Sequence, residues 1–330
     1  MAKRSDQIDW KTIIRRIKGG KCTPIISYQV TSHHFAGTGS VVEAWADEIG
    51  YPLTDRDNLT RIAQYASLIG RDPLAAKEEY LDFLKQRLLE RAREEQPAEQ
   101  AAFLDTLEDE LLDLTFSEVA LRLGYPRYEN ELDNPLRVLA ELPLPIYLTT
   151  NFSTYMEEAL KAAGKEPRTE ICYWHEDLVD DIPSVFEEDP DYQPSEERPL
   201  VYHLHGMDAH PSSLVLSEDD YLDFLVRVSQ DAEVIPTRVS QALADSSILL
   251  LGYQLRGWDF RVLFRGLITT KRSSLRLLSL SIQLMPGAEE VKEEKDAQEY
   301  LQRYFDRANF EIFWGDAQSF MRELWEQWGG

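Results

Sequence analysis

Cysteine is nearly absent from this chain: Cys22 and Cys172 are the only two in 330 residues. Two cysteines cannot build a four-cysteine zinc site, and they indicate no disulfide framework, so a reduced, cytoplasmic setting fits. Long apolar runs are also missing. No stretch of about 18 apolar residues occurs, so no membrane span is expected. The segment Met1–Lys11 is charged and carries no apolar core, so no secretory signal is expected either. Positive charge is scarce, with 35 Lys and Arg against 59 Asp and Glu, a net charge of −24. Such a chain repels a phosphate backbone, and direct nucleic-acid binding is not expected. The densest basic stretch, Arg256, Arg261, Arg265, Lys271 and Arg272, has helix-like spacing and reads as an ion-paired, solvated face. Finally, no Gly-x-Gly-x-x-Gly occurs, which disfavours an ordinary dinucleotide-dependent enzyme.

What is present is an alternation of short apolar runs and amphipathic stretches. Strands are expected at 22–28, 146–149, 201–204, 214–216, 247–251, 277–284 and 310–314. Helices are expected at 8–17, 41–49, 134–142, 152–163, 219–227, 234–244, 259–267, 289–305 and 317–328. This order predicts an α/β fold with a mostly parallel, doubly wound, Rossmann-like sheet. Between Asp55 and Gly124 the β-branched runs vanish and helical periodicity takes over, as in Leu59, Ile62, Ala63, Tyr80, Phe83, Leu84 and Leu88. A small helical domain, 55–124, is therefore expected as an insertion into a sheet domain formed by 1–54 and 125–330. The loops are expected at 29–40 and at the acidic, proline-containing stretch 177–197.

Two strand ends draw attention. Pro199-Leu200-Val201-Tyr202-His203-Leu204-His205-Gly206 reads as a buried strand delivering histidine to its carboxyl edge, where open α/β sheets bind ligands. Ile146-Tyr147-Leu148-Thr149-Thr150-Asn151-Phe152 has the same grammar. On residue type alone, His205 fits either a satisfied core histidine or a ligand-facing base. His203, two residues back, is expected on the same face as His205 and reads as a structural neighbour. Asn151 also fits a helix N-cap, and Ser217-Glu218-Asp219-Asp220 reads as a capping box. Loop residues His33 and His34, and a metal trio of His203, His205 and Asp208, are the weaker alternatives.

Thr149-Thr150-Asn151-Phe152, His203-Leu204-His205-Gly206, Leu214 to Tyr221, Leu250-Leu251-Gly252-Tyr253 and Phe313-Trp314-Gly315-Asp316 occur in the order seen in bacterial SIR2-like proteins, distant relatives of the sirtuins. The resemblance runs from about Lys21 to Trp328. It implies a Rossmann-like domain that takes NAD as substrate, with no zinc. It implies catalytic roles for His205 and Asn151, and ligand contacts from Thr149, Thr150, Phe152, Gly206, Gly252 and Tyr253. Members of this branch act as NADases in anti-phage defence, so the expected function is a regulated NAD+ glycohydrolase. Its expected partners are NAD or an ADP-ribose-like ligand, and a homo-oligomer or a defence-system partner protein. One departure stands out. Relatives end the first strand in a glycine turn around the pyrophosphate, whereas this chain has Ser27-Tyr28-Gln29, and Ser153 stands where relatives often carry aspartate. These changes motivate the alternative of a catalytically impaired sensor or scaffold that binds a nucleotide or partner without turnover.

The chemistry of NAD cleavage asks little of a protein. Nicotinamide leaves from C1′ of the ribose as a good leaving group, so the site must steady an oxocarbenium-like centre and orient a hydroxyl or water. An asparagine amide can hold that hydroxyl without charge, and a histidine can accept its proton.

Overall fold

A computed structural model describes residues 8–32, 41–95, 100–128, 133–231, 233–253, 279–283, 299–300, 302–303 and 310–329. Its strands are β1 (Cys22–Ile26), β2 (Ile146–Thr149), β3 (Arg168–Ile171), β4 (Leu200–His203), β5 (Ser247–Leu251), β6 (Ser279–Gln283) and β7 (Phe310–Trp314). They form one seven-stranded sheet in the order β3-β4-β2-β1-β5-β6-β7, and each pairing is parallel. The chain builds outward from β1 in one direction through β2, and from β5 in the other. The switch point therefore lies between β1 and β5, where a doubly wound sheet opens its crevice. The α/β, Rossmann-like class expected above is what the chain adopts.

The helices are α1 (Trp10–Lys18), α2 (Gln29–Ser32), α3 (Val41–Glu48), α4 (Leu59–Gly70), α5 (Pro73–Glu95), α6 (Ala101–Asp109), α7 (Phe116–Arg122), α8 (Pro135–Glu141), α9 (Tyr155–Ala162), α10 (Asp177–Asp181), α11 (Val185–Glu188), α12 (Glu218–Gln230), α13 (Thr237–Asp245) and α14 (Ala317–Trp328). Side chains alternate across each strand, so one strand feeds two cores. On β5, Leu249 and Leu251 face a layer with α1, α4 to α9 and α14, while Ile248 and Leu250 face a layer with α10, α12 and α13. Burial on both faces explains why these strands read as continuous apolar runs rather than alternating ones. Helices α4 to α7 share the first of these cores with β1 and α8. They are also tied to α12: Lys77 on α5 pairs with Asp220 at 2.9 Å, and Arg61 on α4 with Glu218.

Local chemistry sets the boundaries. Asn134 caps α8 with Pro135 in its first turn, Thr115 and Glu118 form a capping box on α7, and Ser217 and Asp220 form the expected one on α12. Several expectations need correction. Leu214–Leu216 is not a strand: Val215 N–H donates to the His205 carbonyl and Leu216 N–H to Asp220 Oδ2, so its backbone is used to seat α12. Arg168–Ile171, polar and short, forms the unforeseen edge strand β3. The stretch 177–197 contains α10 and α11, and residues 29–32 form α2 instead of a loop. The helix expected from Phe152 starts at Tyr155 with Thr154 as its cap, so Asn151 is no N-cap. His33, His34, the basic stretch 256–272, the helix 259–267 and most of the helix 289–305 lie outside the described residues. Among the described residues no helix is long and apolar enough to cross a membrane.

Candidate functional site

Strands β2 and β4 are neighbours, with Thr149 opposite His203. Asn151 and His205 each follow two residues beyond that pair, so both leave the sheet at the same level of its carboxyl edge. The Thr-Thr-Asn turn is stitched to β1 and β5. Thr149 Oγ1 and Thr150 N–H both donate to the Ile26 carbonyl, and Thr150 Oγ1 lies 3.1 Å from the Tyr253 hydroxyl.

Asn151 is buried and held at four atoms. Its N–H donates to Thr149 Oγ1, Nδ2 donates to Thr31 Oγ1 at 3.1 Å, Oδ1 accepts from Ser153 N–H, and its carbonyl accepts from His203 Nδ1 at 2.9 Å. The Oδ1 bond two residues on is an Asx turn, which is why asparagine suits this turn better than a helix cap. One N–H and one lone pair of the amide remain for a ligand.

The two histidines diverge, correcting the expectation that they share a face. The strand ends at His203 and the chain turns, so His203 points to α9 and His205 to α12. His203 Nε2 lies 2.8 Å from Glu157 Oε1, which also accepts from Thr169 Oγ1 at 3.0 Å. Both ring nitrogens of His203 thus meet acceptors. Burial opposes charge on both partners, but each holds the other ionised: the His203 pKa is raised and that of Glu157 lowered. His205 sits between Tyr221 and Phe224, edge-on to each with ring centroids 5.1 Å away. Its Nε2 is buried and has no hydrogen-bond partner among the described residues. Burial alone pulls its pKa down to about 3, so the ring is neutral. With the histidines on opposite sides, His203, His205 and Asp208 do not converge on a metal. Among the described residues no group of three or more His, Cys, Asp or Glu could hold one.

The remaining expected residues have clear structural work. Gly206 has φ +75°, and a Cβ there would lie 2.2 Å from the Ser213 carbonyl oxygen. Gly252 has φ +77°, and a Cβ would meet Val30 Cγ2 at 2.7 Å. Phe152 packs edge-on against Phe116 of α7. The Ser27-Tyr28-Gln29 turn is the start of α2, with Ser27 Oγ accepting from Gln29 N–H. Thr149, Thr150, Asn151, Gly252 and Tyr253 therefore belong to one network around the β1/β5 crevice. His205 and Gly206 belong to a second, against α12, while His203 ties the first to Glu157 of α9.

Residues overlooked in the sequence complete the picture. Glu157, Thr31 and Ser117 carry no local signature, because each acts across the fold. Ser117 N–H donates to Asp208 Oδ2 at 2.6 Å, and Ser117 Oγ accepts from Thr154 N–H, so α7 holds both site loops. Burial raises the Asp208 pKa, against the opposing pull of Ser117.

With this geometry in place, the comparison with known families is direct. A model of the SIR2-like domain matches residues 145–309, half of the chain, and the protein belongs to the SIR2-like family. It is similar to two curated proteins, each named NAD(+) hydrolase ThsA. The one from Cytobacillus dafuensis is 26% identical over 131 residues, covering 40% of this chain and 23% of the relative. The one from Enterococcus faecium is 31% identical over 93 residues, covering 28% and 16%. The matched stretch thus spans less than a quarter of either relative's length.

Proposed function

We propose that this protein is a SIR2-like NAD+ glycohydrolase, cleaving NAD to nicotinamide and ADP-ribose as a regulated effector of bacterial anti-phage defence. The observation that carries the proposal is the register of β2 and β4, which sets Asn151 and His205 at one level of the sheet edge. Family membership and the names of the two relatives support the choice of NAD. In this reading Asn151 uses its free amide valences to hold a ribose hydroxyl or the attacking water. The bond from nicotinamide N1 to C1′ breaks, and both its electrons leave with nicotinamide. Water oxygen bonds to C1′ and gives up one proton; in this reading His205 takes it, which requires the ring to leave its apolar seat between Tyr221 and Phe224 and regain basicity when the ligand binds. Thr149, Thr150, Phe152, Gly206, Gly252 and Tyr253 would line the ligand's path. The helical unit 55–124 would be a separate small domain bearing on the site loops. Activity would await assembly with further copies or a defence partner.

The test is to incubate the protein with NAD and quantify nicotinamide. Release that falls about a hundredfold in Asn151→Ala and in His205→Ala supports the proposal. Unchanged release in both variants refutes the assignment of the two residues.

A second reading, a sensor or scaffold without turnover, is favoured by two observations. Thr31 of α2 occupies one N–H of Asn151, and the turn at Ser27 is a helix start rather than an open glycine loop. Calorimetric binding of ADP-ribose with no nicotinamide released would select it.

A further inference from the structure

His203 and Glu157 are both buried, yet neither belongs to the pair that the proposed reaction uses. Their geometry shows what they hold. His203 Nδ1 meets the Asn151 carbonyl at 2.9 Å and Nε2 meets Glu157 Oε1 at 2.8 Å. A carbonyl can only accept, so Nδ1 must carry a hydrogen. Glu157 is itself fixed, because Thr169 of β3 donates to the same oxygen. The chain of contacts therefore runs from β3 through α9 and β4 to the backbone of Asn151. The other three bonds to Asn151 come from its own turn, Thr149 and Ser153, and from Thr31 of α2. Among the described residues, His203 is the contact that links the Asn151 backbone to α9 and β3.

We infer that His203 and Glu157 are a positioning pair: Glu157 fixes the ring of His203 with hydrogen on Nδ1, and His203 fixes Asn151. The inference rests on the reading of Asn151 as the residue that orients the hydroxyl or water at C1′. The pair acts by geometry rather than by net charge, because imidazolium and carboxylate together sum to zero beside the site. Asp208, on the loop after β4, is the other ionisable group bearing on His203, and its effect is secondary to that of Glu157.

Glu157 is the place to cut. Removing His203 would strand a buried carboxylate, whereas removing Glu157 leaves a ring that burial keeps neutral. Glu157→Ala should lower kcat for nicotinamide release roughly ten- to a hundredfold with KM within about twofold, because a misplaced orienting group costs rate rather than ground-state affinity. Glu157→Gln can still meet Nε2 with its amide hydrogen and leave Nδ1–H on the Asn151 carbonyl, so it should recover most of that loss. In an Asn151→Ala background, Glu157→Ala should add less than about twofold, since both act through one group. A KM effect without a kcat effect, no recovery by glutamine, or multiplying effects in the double variant would overturn the inference.

Two spectroscopic readouts do not need turnover. Nitrogen-15 NMR of the wild-type ring should show Nδ1 protonated throughout the neutral range. The Asn151 side-chain amide resonances should move in Glu157→Ala and stay in Glu157→Gln. If the wild type releases no nicotinamide, the NADase reading fails while these signals still judge the pair. An Nδ1 without hydrogen, or Asn151 signals indifferent to Glu157→Ala, would sink it.

Discussion

His205 should make this protein acid-sensitive in a way that one substitution removes. The ring lies between Tyr221 and Phe224 with Nε2 buried and unpartnered among the described residues, and burial lowers its pKa to about 3. In the unfolded chain the same ring titrates near the ordinary value, about 6.5. The unfolded state therefore binds a proton first as pH falls, and stability drains away from about pH 6.5 downward. At about pH 5 the loss attributable to this one ring is about 2 kcal/mol relative to pH 8, at 1.36 kcal/mol per unit. His203 has the opposite sign, since its pKa is raised: its contribution is full below about pH 6.5 and fades as pH climbs through the folded value. Comparing wild type with His205→Gln cancels His203 and the carboxylates, because both proteins share them. Urea unfolding should show the variant losing about 2 kcal/mol less than wild type between pH 8 and pH 5. Parallel stability curves for the two proteins would mean that His205 is hydrated or paired, and the account of its burial would be wrong.

Other substitutions should separate close approach, burial and reactivity. Gly206→Ala adds a Cβ against the Ser213 carbonyl at a positive φ, and should cost about 3 kcal/mol or more by thermal unfolding. Lys77→Met strands Asp220, whose carboxylate lies 2.9 Å from the Lys77 ammonium under a nearly closed surface; about 3–5 kcal/mol should be lost in urea. Cys22 and Cys172 are buried free thiols whose pKa burial pushes up to about 12, so a thiol reagent at pH 8 should label neither until the protein unfolds.

The sheet was readable because its strands are buried on both faces. Residues 248–251 and 146–148 show as unbroken apolar runs, too short for an amphipathic helical period to develop. Edge strand β3 was hidden because one face is partly exposed and its residues, Arg168-Thr169-Glu170-Ile171, are mostly polar. Glu170 accepts from Ser184 and from Val185 N–H there, which only the packing of α11 can reveal. The site divides the same way. His205 and Asn151 could be placed at strand ends by pattern, since two residues beyond a buried run is an edge. That His203 and His205 part company could not, because it depends on the strand stopping at His203 and on which helices cover each side.

The switch point makes the sharpest case. With Ser27-Tyr28-Gln29 after β1, the chain lacks the glycines that would let a phosphate approach that turn, and sequence alone reads this as damage. In the fold, Ser27 is the oxygen that caps α2, and α2 is what brings Thr31 to Asn151. Packing α2 this closely needs space at the end of the neighbouring strand, and Gly252, directly after β5, supplies it where any side chain would strike Val30. A glycine is still present at the crevice, but just after β5 and serving a helix rather than an open loop. Replacing Gly252 with alanine should therefore push α2 outward and loosen Thr31 from Asn151, coupling a packing change to the one residue that both proposed functions share.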